Sequence, residues 1–358
     1  MADAAVLRRY DAERLERWAE AVLVASGSHA SEAADVARHL VESNLVGHDS
    51  HGLIRIAKYL DWVAKGMLLQ NRQLTVVTDR GPLVVAEGGF GYGQSVGREA
   101  MRLAIARVRA NGLCVLALRD CGHLGRIGAW AEMLAEAGLA SFHFVNTSGF
   151  GILVAPFGGS DRRLSANPIA AGVPVEGQGP IILDIASSIV AEGKIQVARN
   201  KGEAVPEGCM LDGLGRPTTD PEAFYADPPG AILPFGGHKG SGLSIICEVL
   251  AGSLTGGGSS HPGNATAGRL VNNMLTLAFD PAAFGGLDRF RQDVERLAGW
   301  TRASRPVVPD GRVMLPGDLE RLTRAARQRD GIPFDPETVR QLSEVGMRHG
   351  KPLPEASA

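Results

Sequence analysis

Cysteine is scarce in this chain of 358 residues, and the four present, Cys114, Cys121, Cys209 and Cys247, form no CxxC pair. That spacing argues against both a zinc ribbon and a disulfide framework and leaves four reduced thiols. An excess of charge is also missing. Lys and Arg number 37 against 39 Asp and Glu, a formal net charge of -2, and no basic stripe is interleaved with aromatics. Nucleic acid is therefore not an expected partner, and any anionic ligand must be held by local groups. No apolar run approaches the ~20 residues of a membrane span, and the nearest, residues 243–254, is broken by Glu248. No membrane insertion is expected. The first 22 residues have a charged amphipathic pattern without the apolar core of a secretion signal, so a cytoplasmic location is expected. Internal repeats and low-complexity tracts are likewise absent.

Glycine and proline are plentiful instead, at 46 and 20 residues, and they punctuate short apolar runs. This is the texture of a turn-rich enzyme core. The length, with 44% hydrophobic and 21% charged residues, allows two domains or one large domain with insertions. Apolar residues at spacings of three and four predict helices from residue 11 to about 65. From 74 to about 175, strand-like runs at 83–86, 114–118 and 139–145 alternate with helical patterns at 97–110 and 128–137, an α/β texture. Residues 181–185 predict another buried strand, and a helix is expected from about Ser187 through Val190, Lys194 and Val197. Residues 200–227, rich in Gly, Pro and Asp, read as a long loop of the kind that serves as a lid or an oligomer contact. Beyond it, the turn PFGGHKGSG opens an apolar helix at 243–254. A flexible loop at 256–268, a strand at 274–279 and a mixed C-terminal region complete the expected elements.

The segment Gly47 to Tyr59, GHDSHGLIRIAKY, concentrates chemistry. Residues four apart on a helix are neighbours, which would set His51 and Arg55 on one face with Ser50 beside them. Histidine exchanges protons near neutral pH, and the arginine fork matches a carboxylate. Together they suit a small hydroxy or oxo acid, although the same residues would also serve as a helix cap. A second segment, VVAEGGFGYGQSVG, imitates a dinucleotide fingerprint. Its glycines, Gly91, Gly93 and Gly97, follow GxGxxxG rather than GxGxxG, and Asp120 lies too far on to bind a ribose. It reads as a tight turn that lets helix and sheet pack closely. In GHLGRIGAW, His123, Gly125, Arg126 and Ile127 lie between a strand end and a helix start, where backbone N–H groups hold anions; a structural turn capped by His123 is the alternative. PFGGHKGSG places His238 and Lys239 beside Gly240 at another helix start, without the P-loop spacing. His48, Asp49, His51 and His123 lack the i, i+4 arrangement of helical metal ligands, so no metal is expected.

Taken in order, GHDSHGLIR, GHLGRIGAWAE, LVAPFGG with RLSANPIA, ILDIASS, AEGKIQVARNKGE, DGLGRPTTDP, PFGGHKGSGL and LPGD resemble the blocks of the type II malate/lactate dehydrogenase family, the sulfolactate dehydrogenase-like oxidoreductases. The resemblance spans nearly the whole chain, and the pairing of GHDSHG with HLGRIGAWAE and VAPFGG is most similar to its hydroxycarboxylate dehydrogenase branch, which reduces 2-oxo acids. It implies an α/β, non-Rossmann nicotinamide-dependent fold with a mixed sheet, flanking helices and a helical N-terminal region. It also implies NAD or NADP as cofactor, a small 2-hydroxy or 2-oxo acid as substrate, and a homodimer. A substrate domain at 1–118, a cofactor domain at 119–300 and a C-terminal segment at 301–358 packing back on the first are expected.

By the same resemblance His51 is the acid/base, Ser50 is hydrogen-bonded to it, and Lys194 completes the catalytic set. Arg55, His123 and Asn167 would hold the substrate. Cofactor contacts would fall on His51, on Gly125, Arg126 and Ile127, on the strand end Ile182, Leu183, Asp184, Ile185 and Ala186, on His238, Lys239 and Gly240, on Asn272, and on Gly317, Asp318, Leu319 and Glu320. Asp318 stands where glutamate is usual. Relatives that reduce cyclic imines carry aspartate in place of Lys194; an ammonium there would polarise a carbonyl and repel an iminium, favouring the oxo acid. Cyclic imino acid reduction and a non-catalytic nucleotide-binding oligomer remain the competing readings.

Overall fold

The computed structural model describes residues 7–264 and 268–357. A short strand, β1 (Arg8–Tyr10), leads into α1 (Ala12–Ala25), whose first turn is closed by the Asp11 carboxylate accepting the Arg14 N–H at 2.8 Å. α2 (Ala30–Leu45) and α3 (Arg55–Ala64) follow. The three helices turn Leu15, Val22, Val36, Leu40, Ile56 and Tyr59 into one buried cluster, each large apolar side chain contributing about 1.5–3 kcal/mol.

The chain then builds a mixed sheet from β2 (Thr75–Arg80), β3 (Leu83–Glu87), β4 (Leu113–Cys121), β5 (Ala140–Gly149), β6 (Pro168–Val173) and β7 (Ile181–Ala186), with α4 (Gly93–Asn111) between β3 and β4 and α5 (Gly128–Glu136) between β4 and β5. After α6 (Glu192–Lys201) come the short strands β8 (Met210–Leu211) and β9 (Pro217–Thr218), the one-turn α7 (Glu222–Tyr225), β10 (Ala231–Ile232) and α8 (His238–Cys247). β11 (Leu270–Phe279) returns to the sheet, and α9 (Leu287–Arg302), α10 (Asp318–Asp330), β12 (Ile332–Phe334) and α11 (Pro336–Arg348) finish the described chain.

Among the described residues the large sheet runs β2-β3-β4-β11-β5-β6-β7. β3 and β4 are parallel, joined through α4 as a crossover requires, and every other neighbouring pair is antiparallel. Apolar residues of β3, β4 and β11 meet α4 and α5 in a second core that includes Val84, Leu116, Met101, Trp130 and Met274. The architecture is the α/β mixed sheet with flanking helices that was expected. β4 crosses the boundary anticipated at residue 118, and the sheet draws strands from both sides of it. β12 pairs with β1, so the C-terminal segment returns to the first helices.

Four local readings need correction. The helix expected from Ser187 starts at Glu192, because the Ser187 backbone is tied to other segments, its N–H donating to Asn167 and its carbonyl accepting from Phe235. The long loop at 200–227 contains β8, β9 and α7, and its two strands join β10 just beyond it in a small antiparallel sheet ordered β10-β8-β9. The apolar helix begins at His238 and passes at Glu248 into a π-helical turn ending at Ser253; there Glu248 is buried, its carboxylate accepting from Asn146, Asn167 and the Ser260 N–H. The loop at 256–268 is pinned where it is described, since Asn273 donates to the Gly257 and Gly258 carbonyls; residues 265–267 lie outside the described residues.

Candidate active site

Two turns face each other beyond the end of β4. The first is a single 3-10 turn, Asp49–His51, which stops at Gly52 with extended backbone (φ -86°, ψ -156°). Asn44 clamps it, donating to Asp49 at 2.6 Å and accepting the Leu53 N–H at 2.8 Å. Any side chain at position 52 would overlap the Asn44 amide. His51 and Arg55 therefore do not share a continuous helix as expected: Arg55 is the first residue of α3. What joins the two is a hydrogen bond from Arg55 Nε to the Ser50 carbonyl at 2.6 Å. Because that bond uses only Nε, the two terminal guanidinium nitrogens stay available for an end-on carboxylate.

The second turn carries residues 122–127. Gly93, at the start of α4, lies so close beneath it that a Cβ would overlap the carbonyls of Gly122 and His123. Gly97 similarly lies against the Trp130 ring. The glycine run thus serves close packing. From above, Asn272 accepts the Leu124 N–H at 2.9 Å, and His39 Nε2 accepts the Arg126 N–H at 2.9 Å. The ring centroids of His51 and His123 are 5.4 Å apart. His123 Nδ1 lies 2.7 Å from the Tyr59 hydroxyl, to which Gln94 donates at 2.8 Å.

Burial holds the His51 and His123 rings well below the usual imidazole range, and the Arg55 charge pushes in the same direction. Both are neutral at physiological pH and able to accept hydrogen bonds or protons. Burial likewise pushes the Tyr59 phenol up to about 12. His51 Nδ1 is buried without a partner, so among the described residues the expected bond from Ser50 is not made.

The other expected residues divide. Gly193, at the start of α6, packs on Ser50, its position lying 3.2 Å from the Ser50 Cβ for any added methyl. Lys194 beside it is exposed and makes no hydrogen bond or ion pair among the described residues. Asn167 is fully buried behind the site, donating to Glu248 at 2.7 Å and accepting the Thr147 N–H at 3.2 Å. Its amide nitrogen is taken up by Ser244 and Glu248.

The expected cofactor segments converge around the end of β7. Ile182 donates its N–H to the Pro316 carbonyl at 3.0 Å, and Gly317, with φ +91°, lies against Ile182. Glu320 is 3.4 Å from His48, which is 4.0 Å from Asp184; Asp184 is 4.0 Å from Arg126. The His48 bond lowers the Glu320 carboxyl, whereas burial raises that of Asp184. Arg126 is 1% exposed and ion-paired with Glu132, while its N–H is held by His39. The Arg126 charge and backbone N–H are therefore already partnered within the protein, rather than open to an anion as the sequence suggested. Asp318 accepts from Leu315, Arg302 and Arg321, so its carboxylate stabilises the local fold. Leu319 is exposed, as are His238 and Lys239 at the start of α8, where buried Gly240 fits against the Ser187 carbonyl.

Asp184 Oδ2 and Ser187 Oγ are buried in this region without a hydrogen-bond partner among the described residues. Such atoms call for a polar ligand, and a nicotinamide nucleotide, rich in hydroxyls and amides, fits that donor and acceptor set. Tyr59, Gln94, His39 and Asn44 escaped the sequence reading. Gln94 lay inside the glycine run, and the other three occupy positions that also suit a helix core.

The malate/L-lactate dehydrogenase family profile matches residues 10–343. Hydroxycarboxylate dehydrogenase B of Escherichia coli K12 is 39% identical over 346 residues, covering 96% of this chain and 95% of that protein. L-lactate dehydrogenase of Cupriavidus necator is 38% identical, covering 94% and 96%. Among solved structures, a candidate malate/lactate dehydrogenase of E. coli superposes with a TM-score of 0.91 at 38% identity, covering 96% of both chains. The delta1-piperideine-2-carboxylate reductase of Pseudomonas syringae does so with a TM-score of 0.82 at 30% identity, covering 94% and 99%. On the extent of these matches, the chain belongs to the malate/L-lactate dehydrogenase family.

Proposed function

We propose that this oxidoreductase interconverts a 2-hydroxy acid and its 2-oxo acid with NAD or NADP. The observation that carries the reading is the pair of neutral histidines, His51 and His123, beside the Arg55 guanidinium. Arg55 clamps the carboxylate through its terminal nitrogens. His51 takes the hydroxyl proton during oxidation and returns it during reduction, a task for which a neutral, partly buried imidazole is suited. Burial lowers its basicity, so it releases the proton readily to a developing alkoxide. His123 borders the same space and orients the C2 oxygen. The bound nicotinamide supplies or accepts the hydride. Ile182 to Ala186, Gly125 to Ile127 and the segment around Gly317 to Glu320 would hold the nucleotide, with Asp184 Oδ2 and Ser187 Oγ facing its polar groups.

A homodimer belongs to this reading. Ile245, Ile246 and Val249 on α8 and its π-helical continuation, and Leu254 just after it, are all exposed, and an apolar face of that kind suits a partner copy.

Cyclic imino acid reduction is the second reading, favoured by the exposure of Lys194 and the likeness to the piperideine reductase. Oxidation of NADH and NADPH, followed optically with oxaloacetate, pyruvate, 2-oxoglutarate, phenylpyruvate and a cyclic imine, separates the two. Turnover on an oxo acid, lost in His51→Ala with nucleotide affinity retained, is expected. Turnover on the imine alone would replace the reading, and silence on all substrates would refute both.

A further inference from the structure

The contact chain from Gln94 through Tyr59 to His123 has a direction. An amide NH2 group can only donate, so the Tyr59 oxygen, 2.8 Å from Gln94 Nε2, accepts there. The phenol has one proton, and it points to His123 Nδ1, 2.7 Å away. Acid–base chemistry gives the same polarity independently, since the phenol is the stronger donor and the imidazole nitrogen the stronger base. A neutral imidazole that accepts at Nδ1 must carry its proton at Nε2.

We propose that Gln94 and Tyr59 are positioning residues that lock His123 as the Nε2–H tautomer, so that it presents a hydrogen-bond donor to the C2 oxygen of the substrate beside His51. The identity of that ligand rests on the dehydrogenase reading, but the tautomer does not. The phenol is held too weakly acidic to supply a proton near neutral pH, so the chain orients His123 without passing a proton through it. Proton exchange is left to His51. A donor fixed before the substrate arrives stabilises the charge that develops on the oxygen at no reorganisation cost. The framework is stiff: Tyr59 packs edge-on to Tyr92 and beside Trp62, and Gln94 is 1% exposed.

Nitrogen-15 spectra of the histidine-labelled enzyme, with the His123 signals assigned through His123→Gln, test the assignment without substrate. Between about pH 6 and about pH 8, His123 should show Nε2 protonated and Nδ1 bare. Tyr59→Phe keeps the ring packing but removes the proton that fixes Nδ1. It should give mixed tautomers and lower kcat on the oxo acid about tenfold, with KM for the nucleotide unchanged. Gln94→Met, the second variant, should shift both readouts less and in the same direction. Protonated Nδ1 in the parent enzyme, or unchanged tautomer and kcat in Tyr59→Phe, would overturn the proposal. An enzyme silent on every oxo acid yet showing protonated Nε2 would refute the dehydrogenase reading while sustaining the tautomer. Protonated Nδ1 in an active enzyme would do the reverse.

Discussion

His39 Nε2 accepts the backbone N–H of Arg126 at 2.9 Å, and a side chain at the neighbouring Gly125 would overlap the same ring. A helix near the N-terminus thus shapes a turn 87 residues later in the chain, between β4 and α5. Removing the ring in His39→Ala should leave that N–H unsatisfied and open a cavity beside Trp130, destabilising the protein by about 2–4 kcal/mol. Urea denaturation reads the loss. KM for the nucleotide should rise about tenfold, and His39→Gln, which offers an acceptor again, should recover part of it.

Acid should weaken the fold through the same ring. Burial pushes His39 and His143 down to about 3, so the unfolded chain protonates them near 6.5 while the native protein resists until about 3. Protons then favour the unfolded state, and stability, full above about pH 6.5, falls towards pH 3 at up to ~1.4 kcal/mol per pH unit per histidine. Urea midpoints near pH 7 and near pH 5 should show the drop. His143→Gln should flatten it by about one proton.

Arg126 and Glu132 form a pair with only one partner buried, the arginine being 1% exposed and the glutamate side chain 23%. Glu132→Ala should therefore cost about 3 kcal/mol or more, because it leaves the guanidinium with Asp184 at 4.0 Å as its nearest carboxylate. The double variant Arg126→Met with Glu132→Leu should regain most of that loss, since apolar replacement of such a pair is often neutral. Thermal unfolding of the three proteins checks the ordering.

Glycines in helices should respond to alanine with opposite signs. At Gly97 a Cβ would sit 2.7 Å from the Trp130 ring, and Gly97→Ala should destabilise by about 1–3 kcal/mol. At Gly299, inside α9, nothing lies within 4 Å, and Gly299→Ala should stabilise by about 0.5–1 kcal/mol. Melting temperatures of the two variants decide it.

The contrast between those glycines shows what the sequence displays and what it hides. Apolar spacing exposed most of the sheet strands and α4 and α5, because burial on one face leaves a period in the chain. The 3-10 turn at Asp49–His51 left no such trace: its shape comes from Asn44 and from Arg327 of α10, which donates to Asp49 at 2.6 Å from 278 residues away. The small sheet at 210–232 was also invisible, its strands being two residues long. Histidine and arginine in GHDSHGLIR were legible as chemistry by residue type. The burial of Arg126 was not, because its neutralising partner sits one and a half helical turns on and only the folded chain shows which of the two is enclosed. The bond from Asn167 to the buried Glu248 was hidden for a related reason, since a conspicuous amide suits a buried carboxylate as well as a ligand.

The central position of β11 has a consequence for synthesis. The strand that joins β4 to β5 begins at residue 270, so a nascent chain must carry two unfinished half-sheets, each with an open edge, until its middle piece emerges from the ribosome. Pairings of such long sequence separation form slowly and leave those edges exposed to other chains meanwhile. Truncations ending before residue 270 should collect as aggregates rather than as folded fragments.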